Sequence, residues 1–86
     1  MTNSQHLLNT VQQIQQIMES AENQLTESKR NEHVNDEEFT NAQIQLEEAN
    51  MEIEKMMLSA THEQKDQLLR IQQQLHQLQN KMILGL

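Results

Sequence analysis

The stretch "MMLSATHEQKDQLL", residues 56–69, decides the fold. Apolar side chains stop at Ala60 and resume only at Leu68. Either a helix ends here and the chain turns back, or one long helix runs straight through. The first gives a compact bundle; the second gives a long hairpin that needs a partner to cover its apolar face. Ala60 to Leu68 is a step of eight residues, one more than a heptad seam allows. At 3.6 residues per turn, a straight continuation swings the stripe by about 100° from its heptad place. Starting from Met57 restores the phase through Thr61 and Gln64, but then two consecutive seam positions are polar. Either way, "THEQKDQ" offers about two turns of helix with nothing apolar to bury. Thr61 followed by Gln64 also fits a capping box, in which each side chain bonds the other's backbone amide. No Gly, Asn or Pro lies between 57 and 63 to mark a stop. The phase favours a tight turn near 59–62, and a continuous helix is the alternative.

On either side of this stretch the apolar residues form regular seams. Leu7, Val11, Ile14, Met18, Ala21, Leu25 and Ser28 alternate steps of four and three, the signature of an amphipathic helix. Thr2, Asn3 or Ser4 can cap its start. Lys29 and Arg30 suit the negative end of its dipole, and Asn31 suits a left-handed exit. Phe39, Ala42, Leu46, Ala49, Ile53, Met56 and Ala60 make a second seam. Asn35 with Glu38 fits a capping-box pattern, and Val34 with Phe39 a hydrophobic staple. Asp36, Glu37 and Glu38 set negative charge against the positive helix end. A break at 31–35 follows. Leu68, Ile71, Leu75, Leu78 and Met82 form the third seam, with Asp66 and Arg70 spaced for an i, i+4 pair and Lys81 and Gly85 suited to a helix end. The spacing thus predicts helices over about 3–30, 36–59 and 62–84. Each is about 35–40 Å long, so the three can lie side by side. The expected fold is all-α, an antiparallel up-down-up three-helix bundle in a single domain, residues 1–86. A two-helix hairpin, dimerising and with its second and third helices continuous, is the alternative.

Composition agrees with helices. There is no Pro, a single Gly near the end and one aromatic, Phe39, so a core must come from Leu, Ile, Met, Val and Ala. Fifteen Gln and eleven Glu supply good helix formers for solvated faces, whereas hairpin turn signals are missing. Six Lys and Arg against thirteen Asp and Glu give a net charge of −7. Nucleic acid and anionic membrane surfaces call for clustered cations, and none are clustered here. Apolar runs such as "MML" are far too short to span a membrane, and "MTNSQHLLNT" lacks a signal-peptide pattern. With no Cys, disulfides and thiolate metal sites are excluded. The default expectation is a soluble cytoplasmic protein.

Candidate chemistry is sparse. His6, His33, His62 and His76 form no pair at ligand spacing, and no Glu-x-x-His is present to build a carboxylate-bridged metal centre. His62 and Asp66 are spaced to touch, most simply as a pair on a solvated face. His76 shares a face with Leu69 and Ile83, which predicts partial burial beside a neighbouring helix. Glu47, Glu48, Glu52 and Glu54 are the densest acidic group, and a solvated helix face explains them better than a cation site. No nucleophile with a base at workable spacing emerges. The expectation is no enzyme, no catalytic, cofactor-binding or metal-ligating residue, no cofactor and no small-molecule substrate.

Ile44, Met51 and Leu58 are harder to dismiss. They recur every seven residues, opposite the main seam of the second helix, which is therefore apolar on two faces. Isolated exposed apolar residues are ordinary. Here, however, Leu8, Ile17, Met57, Leu69, Ile83 and Leu84 also lie off the seams. Together they exceed what three such helices cover, and predict a homo-oligomer, a dimer first of all, or another protein as partner.

The segments "NEHVNDEEFTNAQIQLEEA", "MMLSA" and "DQLLRIQQQLHQLQNKMIL" resemble the small YtzC-like proteins of spore-forming Gram-positive bacteria. The resemblance is strongest from Asn31 onward and weaker in the first helix. It implies a bacterial cytoplasmic origin and carries over no functional residue, since that family's function is not known. The chain lacks the Trp-x-Gly turn of the secreted WXG-type hairpins, reading "NEHVN" instead. It also lacks the Ser-Gln-Glu-Leu-Asp segment of the small sporulation phosphatases. The expected function is a non-enzymatic helical interaction module that self-associates through Ile44, Met51 and Leu58. The alternative is a small regulator or phosphatase acting on a bacterial signalling protein through acidic helical surfaces.

Overall fold

Two of the helices in the computed structural model begin where side chains satisfy open amides. The structure describes residues 3–30 and 36–84, in three helices: α1 (Ser4–Arg30), α2 (Asp36–Met57) and α3 (His62–Leu84). Of the three candidate caps for α1, Asn3 takes the role. Its Oδ1 accepts from the amides of Gln5 at 2.8 Å and His6 at 3.2 Å, while its carbonyl accepts from Leu7 at 2.9 Å. This is N-cap geometry, worth about 1 kcal/mol. Lys29 and Arg30 occupy the last turn of α1, and Asp36, Glu37 and Glu38 the first turn of α2, each complementing the local dipole. The expected roles of Thr2, Asn31, Val34, Asn35 and Gly85 lie outside the described residues.

The corner between α2 and α3 answers the question posed by residues 56–69. The amide of Thr61 donates to Gln64 Oε1 at 2.9 Å, and the amide of Gln64 donates to Thr61 Oγ1 at 3.2 Å. Both arms of the capping box are made, and Thr61 O accepts the first intrahelical bond of α3 from Lys65 at 2.9 Å. On the other side, the amides of Leu58 and Ser59 reach back three residues, to Lys55 O and Met56 O at 3.3 and 3.2 Å. That tightening ends α2 at Met57, two residues before the expected 59, and puts Leu58 in the turn. The continuous-helix alternative does not hold. The chain is an antiparallel three-helix bundle.

Each helix packs against both others, in a body 47 × 19 × 15 Å. All three seams point inward. Leu7, Val11, Ile14, Met18, Ala21 and Leu25 of α1 meet Ala42, Leu46, Ala49, Ile53 and Met56 of α2 and Leu68, Ile71, Leu75, Leu78 and Met82 of α3. Leu46, Ile53, Leu68 and Leu75 are the largest fully enclosed side chains. Each contributes about 1.5–3 kcal/mol by leaving water. Phe39 and Ala60, at the ends of the second seam, are half-buried against this core. Ser28 is also half-buried, but its hydroxyl donates to Leu25 O at 2.7 Å rather than extending the apolar seam.

Three side chains revise the expected distribution. Ile17 and Met57, counted among the surplus apolar residues, pack against the core from its edges. Thr10, outside every seam, is buried. Thr10, Ile17 and the half-buried Gln24 recur every seven residues beside the α1 seam. Thr10 and Ile17 share a groove with Gln45, Ala49 and Glu52, which fixes this flank as the one facing α2. A bundle helix buries a wider stripe than a strict a/d seam, and these positions are the extra width. No buried side-chain nitrogen or oxygen among the described residues lacks a hydrogen-bond partner.

Candidate interaction surface

The surface of α2 divides into three strips, one inward and two outward, each set by the 100° turn per residue. Leu46 and Ile53 face the core. Glu47, Asn50 and Glu54 face the crossing to α3. Ile44 and Met51 lie about 180° from the seam, and Leu58 follows at the same seven-residue spacing, just past the helix end. These last three are exposed: Ile44 at 50%, Met51 at 60% and Leu58 at 89%. Leu69 and Ile83 of α3 are exposed as well, as are Leu8 of α1 and Leu84.

Polar side chains close the α2–α3 crossing beside the apolar line. Asn50 is its centre: its Oδ1 accepts from Gln72 Nε2 at 3.1 Å and lies 3.0 Å from His76 Nε2, while its Nδ2 donates to Glu54 Oε1 at 3.3 Å. Gln79 Nε2 donates to Glu47 Oε2 at 3.3 Å. Lower numbers on α2 pair with higher numbers on α3, the register of antiparallel neighbours. His76 therefore meets a neighbouring helix as expected, yet its ring stays exposed rather than partly buried, because it bonds the rim of the crossing. Neither Asn50 nor Gln72 stood out in the sequence. Each follows a seam residue by one position, but which pairs meet depends on the helix register.

The acidic group of α2 does not converge. Glu47 turns to Gln79, Glu54 to Asn50, and Glu52 lies 4.0 Å from His6 Nε2 on the α1 side. Glu48 borders the groove between α1 and α2. Among the described residues no set of three His or acidic side chains is placed to hold a metal ion. His62 is exposed at the first position of α3, and Asp66 and Arg70 do not form their spaced pair. Exposed pairs of long side chains gain little from closing. His33 lies outside the described residues.

The grooves are open and of mixed polarity. One of about 320 Å³ is lined by Gln43, Glu47, Gln79, Asn80 and Ile83, and another of about 300 Å³ runs between α1 and α2 beside Thr10 and Glu48. Small-molecule sites enclose most of their ligand, and these do not. No described helix is long and apolar enough to cross a membrane. What the surface offers is the line Ile44, Met51 and Leu58, with a hydrogen-bonded polar strip along one side.

Comparison with known proteins adds lineage. The chain is 45% identical over 74 residues to the uncharacterised protein YtzC of Bacillus subtilis (strain 168), covering 86% of this chain and 82% of that protein. No solved structure matches. The family described as "Protein of unknown function (DUF2524)" matches residues 1–84, so the likeness extends through α1 as well as the segments after Asn31, and the chain belongs to that family.

Proposed function

We propose that this protein is a non-enzymatic helical interaction module that self-associates through the outer face of α2. One observation carries the reading: three large apolar side chains spaced seven apart are exposed, Ile44 and Met51 on the side of α2 opposite the core and Leu58 in the turn just after it. An apolar stripe on the second face of a helix gains free energy only when another surface covers it. Covering each of these side chains contributes about 1–2 kcal/mol. Association costs about 4–15 kcal/mol in lost freedom, so six such side chains from two copies support a micromolar or weaker dimer.

Sedimentation equilibrium tests this. The wild type is expected to populate dimer at concentrations on the order of tens to hundreds of micromolar. The double substitution Ile44→Glu/Met51→Glu is expected to be monomeric throughout while keeping its helical content. A wild type that stays monomeric at high micromolar concentration refutes the reading.

A further inference from the structure

We infer that the second copy lies antiparallel on α2, with the two-fold axis passing beside Met51. This rests on the self-association proposed above and adds the orientation. Ile44, Met51 and Leu58 are evenly spaced, so they match their own reversed image. Met51 meets Met51 of the second copy, and Ile44 meets its Leu58. The Leu58 amide still bonds Lys55 O, which keeps this residue close to the path of the helix. Such a face is self-complementary, as a two-fold contact requires.

The acidic first turn of α2 and the helix dipole select the antiparallel sense, and the flanking charges report it. Glu48 and Lys55 flank the stripe on the edge toward α1, and both are exposed. They are seven residues apart, about 10.5 Å along the helix, too far to pair within one chain. Neither makes an ion pair or side-chain hydrogen bond among the described residues. In the antiparallel arrangement each Glu48 lies within one residue's rise of Lys55 of the other copy, and the two-fold axis makes that pair twice. The opposite edge sets Glu47 near Glu54 of the second copy. There, Gln79 and Asn50 hydrogen-bond the two carboxylates within their own chain, and this exposed like-charge contact costs little against the two Glu48–Lys55 pairs only because both edges stay in water. A parallel pairing sets Lys55 near Glu54 and Glu48 near Glu47 of the second copy, the same balance along the edges. But it brings together the first turns of both α2 helices, with Asp36, Glu37 and Glu38 from each copy at one end. It also aligns the two helix dipoles. The antiparallel dimer keeps those acidic turns at opposite ends.

The chain has no Cys, so single cysteines report the geometry cleanly. Facing helices have axes about 8–10 Å apart and Cα atoms about 2.3 Å off axis, which brings directly opposed Cα atoms into disulfide range. Under a mild thiol oxidant, Met51→Cys is expected to form a covalent dimer. Ile44→Cys alone is expected not to, because its two copies are about 21 Å apart along the helices. Glu48→Lys or Lys55→Glu alone should weaken association about tenfold, since each replaces two attractive pairs by two repulsive ones. The combined Glu48→Lys/Lys55→Glu chain should recover to within about threefold of wild type. All four positions are exposed, and circular dichroism checks that each variant is folded. If the wild type dimerises but Ile44→Cys links to itself, the pairing is parallel: the orientation is refuted and the self-association stands. A dimeric wild type with no Met51→Cys link, or no rescue by the double charge swap, also overturns the orientation. A monomeric wild type removes both.

Discussion

Thr61 and Gln64 hold the corner of the molecule through two reciprocal hydrogen bonds. Their spacing was visible in the sequence, but such pairs occur by chance; the phase slip between Ala60 and Leu68 gave this one meaning. Thr61→Ala is expected to lower unfolding free energy by about 1 kcal/mol, measured by urea denaturation. Core and face residues should separate in the same assay. Leu46→Ala, at a fully buried site, should cost about 2–5 kcal/mol, whereas Met51→Ala should stay within about 0.5 kcal/mol in the monomer. Equal effects at the two sites would contradict this division between core and exposed face. Thr10 shows what residue-level reading misses. Its burial comes from α2 closing over the flank of α1, and nothing in its neighbours along the chain announces that.

At the scale of elements, the informative position is His62, the first residue of α3 and the one after the cap. A proline there loses only an amide that has no intrahelical partner, and its φ suits the first helical turn. It also biases Thr61 toward the extended backbone that a cap residue uses. His62→Pro should therefore leave stability within about 1 kcal/mol of wild type, with helical content preserved. In a continuous second helix the same change would cost about 3 kcal/mol or more, so a large loss would contradict the corner. The seams made the helices legible because burial on one side imposes a period close to 3.6 residues. Helix ends are less legible, because the last turn answers to backbone bonding rather than to apolar spacing. The closing turn of α2 tightened and released Leu58 into the corner, a choice made by backbone bonding after Lys55 and Met56.

At the scale of the whole molecule, a net charge of −7 opposes any meeting of two copies. Raising salt from about 20 mM to 500 mM should tighten self-association, because screening of the overall repulsion outweighs loss of the rim pairs. Light scattering across that range checks it; weaker association at high salt would mean that the cross-chain pairs dominate. Three amphipathic seams and the residues of their inward faces were legible from the chain alone, which favoured a corner between the last two without excluding a continuous helix. Periodicity and capping are local properties, written within a few turns of chain. Packing between the helices settled the rest: Ile17 and Met57 join the core, Thr10 is buried, and Asn50 links Gln72, His76 and Glu54. Those outcomes depend on helix register and on how closely two helices approach, and both are set where distant parts of the chain meet.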